Sequence, residues 1–567
     1  MLRWQTPILL ILILVDFGAG ALQVDSSGTK DFSTIQEAIN ASEIGDEIVV
    51  KNGTYAENLV VDRSIALRGE GMPVVSGEVS SFPLIIINAS GVVLEGFVFA
   101  GCTNDSCDSG SVLILSDGSR ILNNTIYGSS SHGISLLNSS GHLISKNRIH
   151  DNFKAGIRLT GANESQISDN EISRNEFGIY IEVSTYDAIA YNDIRANRAD
   201  GIAIIASSAQ QIVRNVIHNN SENGVYHLDS HNNFIVGNII QDCKNSGIDV
   251  ASSFNSMIVA NTIQWCGEMG VNLDGTDNIV VNRNVLSAND INGVSILGSD
   301  HSTVSNNVVQ NNRDNGISLR QDSRNSMIAN NTISENKRYG LILDESNLNS
   351  IQENQIHHNI NGIVMRHSAD NSVVENVVRD NGFGLSLDMV DNVVASKNEI
   401  ANSSRDGISL IRCDNSKIWA NRILDSAADG IHMIRSTGTI VSDNDILRSG
   451  GYGVQVLDQS TQNLFLSNLI QNSVQGGIYI FEGDFNLASF NALIDNNKFN
   501  GWDNGGNMWD GNYYSDLKCN ETFWQVLCTE PYEIRGQRGA VTLDRRAFSD
   551  PNVLSATPTS FREDEPV

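Results

Sequence analysis

Two aspartates and a histidine near residue 430 have the residue types of acid–base chemistry. Asp406 and Asp429 each precede a glycine and are 23 residues apart, and His432 follows three residues after Asp429. If residues about 23 apart lie above one another, the two carboxylates repel, which raises one pKa, and an imidazole beside them can exchange protons near neutral pH. This geometry is compatible with glycoside hydrolysis, which uses two carboxyl groups. We therefore predict Asp406, Asp429 and His432 as catalytic residues, with a simple turn role, as expected for Asp200 before Gly201, as the alternative.

A second group of charges alternates in sign at the same interval. Arg320, Asp344, Arg366 and Asp388 are each the fourth residue after a recurring glycine, and Asp274 holds the same position two repeats before Arg320. On one exposed face these charges would form a salt-bridge ladder that suppresses register slips. Alternatively, the arginines bind a uronate or sulfate group while a carboxylate between them stays ionised as a base. The five residues are predicted as a substrate-binding set.

A repeat of about 23 residues must position both groups. Glycine followed by Ile, Val or Leu recurs from Gly133 to Gly477 at intervals of 22 to 24 residues. A column of asparagines from Asn124 to Asn491 follows the same register. Glycine suits a position of positive φ or close backbone approach. Asparagine tolerates a left-handed turn, and stacked asparagines can hydrogen-bond as a ladder.

Each repeat contains short alternating runs that are typical of strands. In Gly316-Ile317-Ser318-Leu319, the first and third residues after the glycine should face inward and the second and fourth outward. Three such strands and their turns use about 23 residues and return the chain about 4.8 Å further along. This predicts a parallel β-helix. A leucine-rich-repeat horseshoe has the same period but needs a helical half, which the Asn, Ser and β-branched residues disfavour.

The composition agrees with this architecture and excludes one class of partner. The chain has 66 Asp and Glu against 37 Lys and Arg, a net charge of −29, so nucleic-acid binding is disfavoured. Between Pro83 and Pro531 there is no proline. A continuous β-ladder requires this, because each proline removes a backbone donor.

The chain begins with a segment typical of export. An apolar run, Ile8 to Val15, is followed by small residues at 19–21, which predicts a signal peptide, with an uncleaved anchor as the alternative. No other segment is long and apolar enough to span a membrane. The predicted organisation is a signal peptide at 1–21, a cap helix and first coil at 22–60, β-helix repeats at 61–500, an aromatic C-terminal cap at 501–548 and a flexible tail at 549–567.

Seven cysteines are consistent with an oxidising compartment. Two pairs are close enough in the chain to bridge a loop: Cys102 with Cys107, and Cys519 with Cys528. Cys243 and Cys266 should stack on adjacent coils, either as a disulfide or as two buried thiols. Cys413 is left over.

Metal binding has weaker support, and we assign no metal ligand. Calcium is conceivable at the acidic turns of Asp503 and Asp510, although the spacing matches no known loop. Copper is a weaker prediction. Its candidate ligands are near in sequence but share no repeat column: His357, His358, Met365 and His367.

Motifs at both ends resemble a known family. The segments 32–39, 45–50 and 53–57 (FSTIQEAI, GDEIVV, GTYAE) look like the start shared by right-handed β-helix proteins of the NosD type, also called CASH (carbohydrate-binding and sugar hydrolysis) proteins. The closing segments 502–507 and 511–516 (WDNGGN, GNYYSD), with Pro531-Tyr532, are similar to the end of surface versions. The resemblance implies an all-β, right-handed parallel β-helix. The repeats and the end segments predict about twenty coils, with a helical N-terminal cap and an aromatic C-terminal cap.

The same resemblance implies several functions. Family members bind or cleave polysaccharides or epimerise alginate, and NosD is associated with copper delivery to nitrous oxide reductase. The Gly-His-Gly and paired-Asp signatures of polygalacturonases and the Asp-Pro-His-Asp motif of alginate epimerases are absent. No catalytic residue can therefore be transferred from the family.

We predict an exported monomer, in the periplasm or at the cell surface, that binds an extended polysaccharide or cell-surface glycan along an exposed strand face. A lyase, hydrolase or C5-epimerase acting on uronic-acid polymers is the first alternative. A NosD-like copper-handling accessory protein is the second.

Overall fold

The computed structural model describes residues 21–77, 82–101, 109–519, 522–523, 526–537 and 540–555. The predicted signal peptide, apart from residue 21, lies outside the described residues, as do Cys102, Cys107 and residues 556–567 of the predicted tail. The described residues form two compact units, one up to residue 198 and the other from residue 199. Both are nearly all β, with about 21 turns of about 23 residues in all, which confirms the predicted fold class.

Short parallel strands in each unit form three sheets, which we call sheets 1, 2 and 3. In the first unit, sheet 1 contains Leu22–Val24, Glu47–Lys51, Ala66–Glu70, Val93–Glu95, Arg120–Leu122, Leu143–Ser145, Gln166–Ser168 and Ala188–Ala190. Sheet 2 contains Thr54–Tyr55, Val74–Val75, Val98–Ala100, Thr125–Tyr127, Arg148–His150, Glu171–Ser173 and Asp193–Arg195. Sheet 3 contains Leu59–Val61, Ile85–Ile87, Val112–Ile114, Ile134–Leu137, Ile157–Thr160 and Ile179–Glu182.

The second unit repeats this arrangement. Sheet 1 contains Gln211–Val213, Phe234–Val236, Met257–Val259, Val280–Asn282, Thr303–Ser305, Met327–Ala329, Ser350–Gln352, Ser372–Val374, Val394–Ser396, Lys417–Trp419, Ile440–Ser442, Leu464–Leu466, Leu487–Ser489 and Met508–Asp510. Sheet 2 contains Val216–His218, Ile239–Gln241, Thr262–Gln264, Val285–Ser287, Val308–Gln310, Thr332–Ser334, Gln355–His357, Val377–Arg379, Glu399–Ala401, Arg422–Leu424, Asp445–Leu447, Leu469–Gln471, Ala492–Ile494 and Tyr513–Tyr514. Sheet 3 contains Ile202–Ile205, Val225–Leu228, Ile248–Ala251, Val271–Asp274, Val294–Leu297, Ile317–Arg320, Tyr339–Asp344, Asn361–Ala369, Leu385–Asp391, Ile408–Ile411, Ile431–Ile434, Tyr452–Leu457, Gly476–Ile480 and Gly501–Asp503.

Both ends carry additional elements. The helix Ile35–Ala41 begins after Thr34, whose side chain accepts a hydrogen bond from the backbone N–H of Glu37, and it buries Ile35, Ala38 and Ile39. At the C-terminus, two antiparallel pairs follow the last turn, and a short helix follows them. Their bounds are Thr522–Phe523 with Leu527–Cys528, Tyr532–Arg535 with Val541–Asp544, and Asn552–Ser555.

The interior consists of apolar residues stacked on their own kind. Ile317 and Leu319 pair with Leu341 and Leu343 of the next turn, and all four are fully buried. Burial of each side chain contributes roughly 1.5 to 3 kcal/mol, so cohesion increases with every turn. The predicted inward direction of the first and third residues after the glycine is confirmed.

The asparagine column forms a hydrogen-bonded ladder. The side-chain Nδ2 of Asn331 donates to Asn354 Oδ1 at 2.9 Å, and the backbone N–H of Asn331 donates to the same oxygen at 3.0 Å. The prediction of a left-handed backbone at this column was wrong. The positive φ lies one residue earlier, 56° at Asn330 and 55° at Glu353. The ladder position therefore requires the side-chain amide of asparagine, which both donates and accepts hydrogen bonds. It does not require asparagine's tolerance of a left-handed backbone.

The repeat glycines are required by close approach. A Cβ at Gly316 would lie 2.5 Å from the carbonyl oxygen of Gly340 and against Ile333 of the neighbouring strand. Real Cβ atoms do not come so near, so any larger residue would push the turns apart.

Aromatic residues pack together in the last turns of the second unit. Trp509 and Tyr514 are 4% and 1% exposed. Trp502 is half-buried and its ring stacks on Tyr479, with centroids 4.4 Å apart. These rings lie in the segment 501–548, and its role as a cap stays a prediction.

Candidate functional site

The predicted catalytic residues come together at the start of two neighbouring strands of sheet 3. Asp406 and Asp429 lie just before Ile408–Ile411 and Ile431–Ile434, and His432 lies within the second strand. His432 Nδ1 is 3.4 Å from Asp406 Oδ2 and 3.5 Å from Asp429 Oδ2. One imidazole therefore lies beside both carboxylates. A role of this group in acid–base catalysis stays a prediction.

Each carboxylate uses one oxygen to bind the next turn. Asp406 Oδ1 accepts a hydrogen bond from the backbone N–H of Asp429 at 3.0 Å. Asp429 Oδ1 accepts one from the backbone N–H of Tyr452 at 2.7 Å. The two aspartates are 6% and 7% exposed. The second oxygen of each, Oδ2, is the atom that faces His432.

Burial and charge shift the protonation of this group. Burial, with a smaller effect from the charge of Asp406, raises the pKa of Asp429 to about 6, although the hydrogen bond from Tyr452 and the charge of His432 act in the other direction. Burial alone would lower the pKa of His432, but its hydrogen bond to Asp406 and the charges of both aspartates raise the pKa above its usual value. Burial therefore favours the protonated form of Asp429, and the two carboxylates favour the charged form of His432.

Two further features mark this group. His432 Nε2 is buried and has no hydrogen-bond partner. A Cβ at position 451 would collide with Asp429 Oδ1, so Gly451 leaves room for the carboxylate.

The predicted substrate-binding residues are in register on sheet 3. In the backbone register of successive strands, Arg320 lies opposite Asp344, Asp344 opposite Arg366, and Arg366 opposite Asp388. Asp274 belongs to the same column and lies two strands before Arg320. The sequence interval therefore predicted this column correctly, while its role in binding stays a prediction.

The aspartates of this column pair with residues outside it. Asp344 Oδ1 is 3.1 Å from His367 Nδ1, and Asp388 Oδ1 accepts a hydrogen bond from Arg412 Nη2 at 2.6 Å. Within the described part of the chain, the two arginines of the column form no ion pair with a carboxylate. The charged residues are thus in the register that a salt-bridge ladder requires, but they do not form ion pairs with one another.

Tyr339, which the sequence reasoning missed, covers this face. Its hydroxyl accepts a hydrogen bond from Arg366 Nη2 at 3.0 Å. The guanidinium carbons of Arg338 and Arg366 lie 4.8 and 5.5 Å from the centroid of its ring. Tyr339 directly precedes a repeat glycine, the position that both aspartates of the histidine group occupy in later turns. That shared position was the available signal.

The acidic turns considered for calcium are occupied by protein donors. Asp510 forms an ion pair with Arg546. Asp503 is fully buried and accepts hydrogen bonds from three side chains, Asn507 Nδ2, Trp509 Nε1 and Thr542 Oγ1, at 2.7, 3.2 and 3.0 Å.

The structure shows which of the described cysteines form a disulfide and which are thiols. Cys519 and Cys528 form a disulfide, with Cα atoms 5.3 Å apart. Cys243, Cys266 and Cys413 are buried thiols outside any disulfide. A hydrogen bond with Cys266, together with burial, raises the pKa of Cys243 well above its usual value, so the thiol of Cys243 is unreactive.

Two family models match the repeats. The model described as "Right handed beta helix region" matches residues 110–261 and 246–389. The model described as "Periplasmic copper-binding protein (NosD)" matches residues 344–519. The chain is therefore a right-handed parallel β-helix protein of the NosD type.

A curated relative matches part of the chain. It is a cell surface glycoprotein of Methanothermus fervidus, 35% identical over 130 residues, which cover 22% of this chain and 21% of the relative. The match thus spans about a fifth of that protein's length.

Several solved structures have a similar architecture. The periplasmic alginate epimerase AlgG is 14% identical, with a TM-score of 0.34 over 60% of this chain and 82% of that one. A PL6 alginate lyase in complex with a trisaccharide is 14% identical, with a TM-score of 0.37 over 59% and 86%. The A-module of the mannuronan C-5 epimerase AlgE4 from Azotobacter vinelandii is 17% identical, with a TM-score of 0.32 over 65% and 94%. At these scores we draw nothing on substrate or mechanism from them.

The residues considered for copper do not form a site. Copper(I) prefers thiolate, thioether and imidazole ligands. Met365 is fully buried in the interior, and His367 is engaged with Asp344. His357 Nδ1 and His358 Nδ1 are 3.0 Å apart. No third soft ligand from the predicted set joins the two histidines.

No helix among the described residues is long and apolar enough to cross a membrane.

Proposed function

We propose that this protein binds an extended acidic polysaccharide along the outward face of sheet 3 in the second unit. The observation that carries the proposal is the pair Arg320 and Arg366. They occupy one column two strands apart, a spacing of about 9.6 Å. Neither is paired with a carboxylate in the described residues, although the chain carries a net charge of −29.

The neighbouring aspartates do not compete for these arginines. Asp344 is engaged by His367 and Asp388 by Arg412. A guanidinium group binds a carboxylate or sulfate through two parallel hydrogen bonds. A polymer with an acidic group on regularly spaced sugars can therefore contact both arginines at once.

The comparisons support an exported location for this activity. The matching family is described as periplasmic, and the relative as a cell surface glycoprotein. Both locations expose a protein to polysaccharides, so we include periplasm or cell surface in the proposal.

Binding of defined oligosaccharides tests the proposal. The purified protein should bind polyuronate or sulfated chains more tightly than a neutral glucan, and less tightly as salt increases. Because a hydrogen bond to a charged group contributes about 1.5 to 3 kcal/mol, Arg320→Gln and Arg366→Gln should each weaken binding by about 10- to 100-fold.

Arg422→Gln is the matched control, because this exposed arginine lies on sheet 2 of the same unit. It should bind like the wild type. Equal binding by the wild type, Arg320→Gln and Arg366→Gln would remove this face from the proposal, and binding of the neutral glucan alone would exclude an acidic ligand.

A further inference from the structure

We propose that Asp406, Asp429 and His432 form a binding site for a divalent transition-metal ion of the zinc class. One ligand atom from each residue is available, and the three atoms lie within 4.8 Å of one another. This group lies on later turns than Arg320 and Arg366, and the inference does not depend on polysaccharide binding.

The distances suit a common metal ion. His432 Nδ1 is 3.4 and 3.5 Å from the Oδ2 atoms of Asp406 and Asp429. Ligands that bind zinc tetrahedrally at about 2.1 Å are separated from each other by about 3.4 Å. Three protein ligands leave the fourth position for water or another ligand.

Hydrogen bonding alone does not satisfy the two carboxylates. The Nδ1 atom of His432 carries at most one hydrogen, so it can donate to only one Oδ2 atom. Asp406 and Asp429 are more than nine-tenths buried, with 6% and 7% exposure. At least one Oδ2 atom therefore lacks a donor from the imidazole and is available as a ligand for a cation.

Apart from His432, no basic side chain among the described residues pairs with these carboxylates. The salt bridges of Asp406 and Asp429 are with His432 alone. Arg405, adjacent in sequence, places its guanidinium carbon over the ring of Phe383, 5.2 Å from the centroid. A divalent cation would balance both carboxylates.

Other turns show that the structural role of this position needs no carboxylate. Asn223, Asn292 and Asn361 each precede a repeat glycine, and the Oδ1 of each accepts a hydrogen bond from the backbone N–H of the next turn. Asp406 and Asp429 make the same bond. What the aspartates add is the second oxygen, and in both residues that oxygen faces His432.

The ligand types select the ion. Two carboxylate oxygens with an imidazole nitrogen suit zinc and similar divalent ions. Calcium prefers six to eight oxygen ligands and no nitrogen, so it should bind more weakly.

Metal binding by the full chain tests this inference without any sugar. After removal of metal with a chelator, titration with ZnCl2 in a calorimeter should show one tight site per chain, and CaCl2 should bind much more weakly. Asp406→Asn, Asp429→Asn and His432→Gln should each weaken zinc binding by more than about tenfold, since even outer-shell changes have that effect. Zinc should also raise the Tm of the wild type more than that of these variants.

Two controls separate this site from other residues. Asp200→Asn changes an aspartate before a repeat glycine, whose Oδ1 accepts a hydrogen bond from the backbone N–H of Asn223, and should leave the affinity unchanged. His357→Gln tests the exposed histidine pair. The inference is overturned if the wild type binds no zinc, or if zinc binding is lost in His357→Gln and retained in His432→Gln. His432 takes no part in the hydrogen bonds that join the aspartates to the backbone of the next turn. The His432→Gln variant therefore stays informative if an aspartate variant misfolds.

Discussion

Replacing Asn331 by alanine should destabilise the second unit more than any surface substitution. Asn331 is 1% exposed. Its Oδ1 accepts hydrogen bonds from the backbone N–H and the Nδ2 of Asn307, both at 3.0 Å. Its Nδ2 donates to the carbonyl oxygen of Val304 and to Asn354 Oδ1, both at 2.9 Å.

The truncation leaves the buried backbone N–H of Asn307 without a partner. Asn307 Nδ2 loses its bond to residue 331 but keeps the one to the carbonyl oxygen of Val281, and the carbonyl oxygen of Val304 loses the donor from residue 331. Asn354 Oδ1 keeps one donor, the backbone N–H of residue 331. The orphaned N–H costs about 1 to 3 kcal/mol and the other lost hydrogen bonds about 0.5 to 1.5 kcal/mol each, so the free energy of unfolding should fall by at least about 2 kcal/mol.

Urea unfolding of the wild type and the variant measures this loss, and hydrogen exchange of the turns around residue 331 locates it. Asn497→Ala is the matched control, because Asn497 is exposed. It should change stability by less than about 0.5 kcal/mol. If the two variants unfold at the same urea concentration, the ladder does not contribute as argued.

Two further predictions concern the interior. His227 is fully buried between Ile204 and Val250, its ring nitrogens have no hydrogen-bond partner, and burial lowers its pKa to about 3. The unfolded chain, in which this imidazole has a pKa of about 6.5, takes up a proton that the buried ring does not, so the free energy of unfolding should fall by about 2.5 kcal/mol between about pH 7 and pH 4.5. His227→Leu should remove this loss and add about 1 to 2 kcal/mol at pH 7 in urea unfolding, and an unchanged acid sensitivity would contradict it. Gly316→Ala should lower stability by about 1 to 3 kcal/mol, because its Cβ would meet the Gly340 carbonyl, and an unaltered Tm would disprove the close approach.

Much of the site geometry was predictable because a parallel β-helix converts sequence interval into vertical distance. Residues one period apart are placed one strand spacing apart, so Asp406 and Asp429 lie on neighbouring turns, and Arg320, Asp344 and Arg366 are in register. The inward and outward alternation follows from the same rule. These features depend only on backbone pairing, which the glycine and asparagine columns specify.

The positions of side-chain ends were not predictable in this way. The expected pairing of Arg366 with its column neighbours is absent, because Arg366 bonds to Tyr339 and Asp344 turns to His367. A long side chain can reach several partners, and these partners lie at similar sequence intervals. The interval therefore does not identify the partner.

The sequence by itself determined the class of fold, the period and the residues that share a column, since each follows from steric and hydrogen-bonding demands repeated at every turn. The tertiary structure decided which oxygen of each aspartate stays available, which arginines lack a carboxylate and which cysteines remain thiols. Those outcomes depend on distances of a few tenths of an ångström between side chains of different turns, which no periodicity encodes.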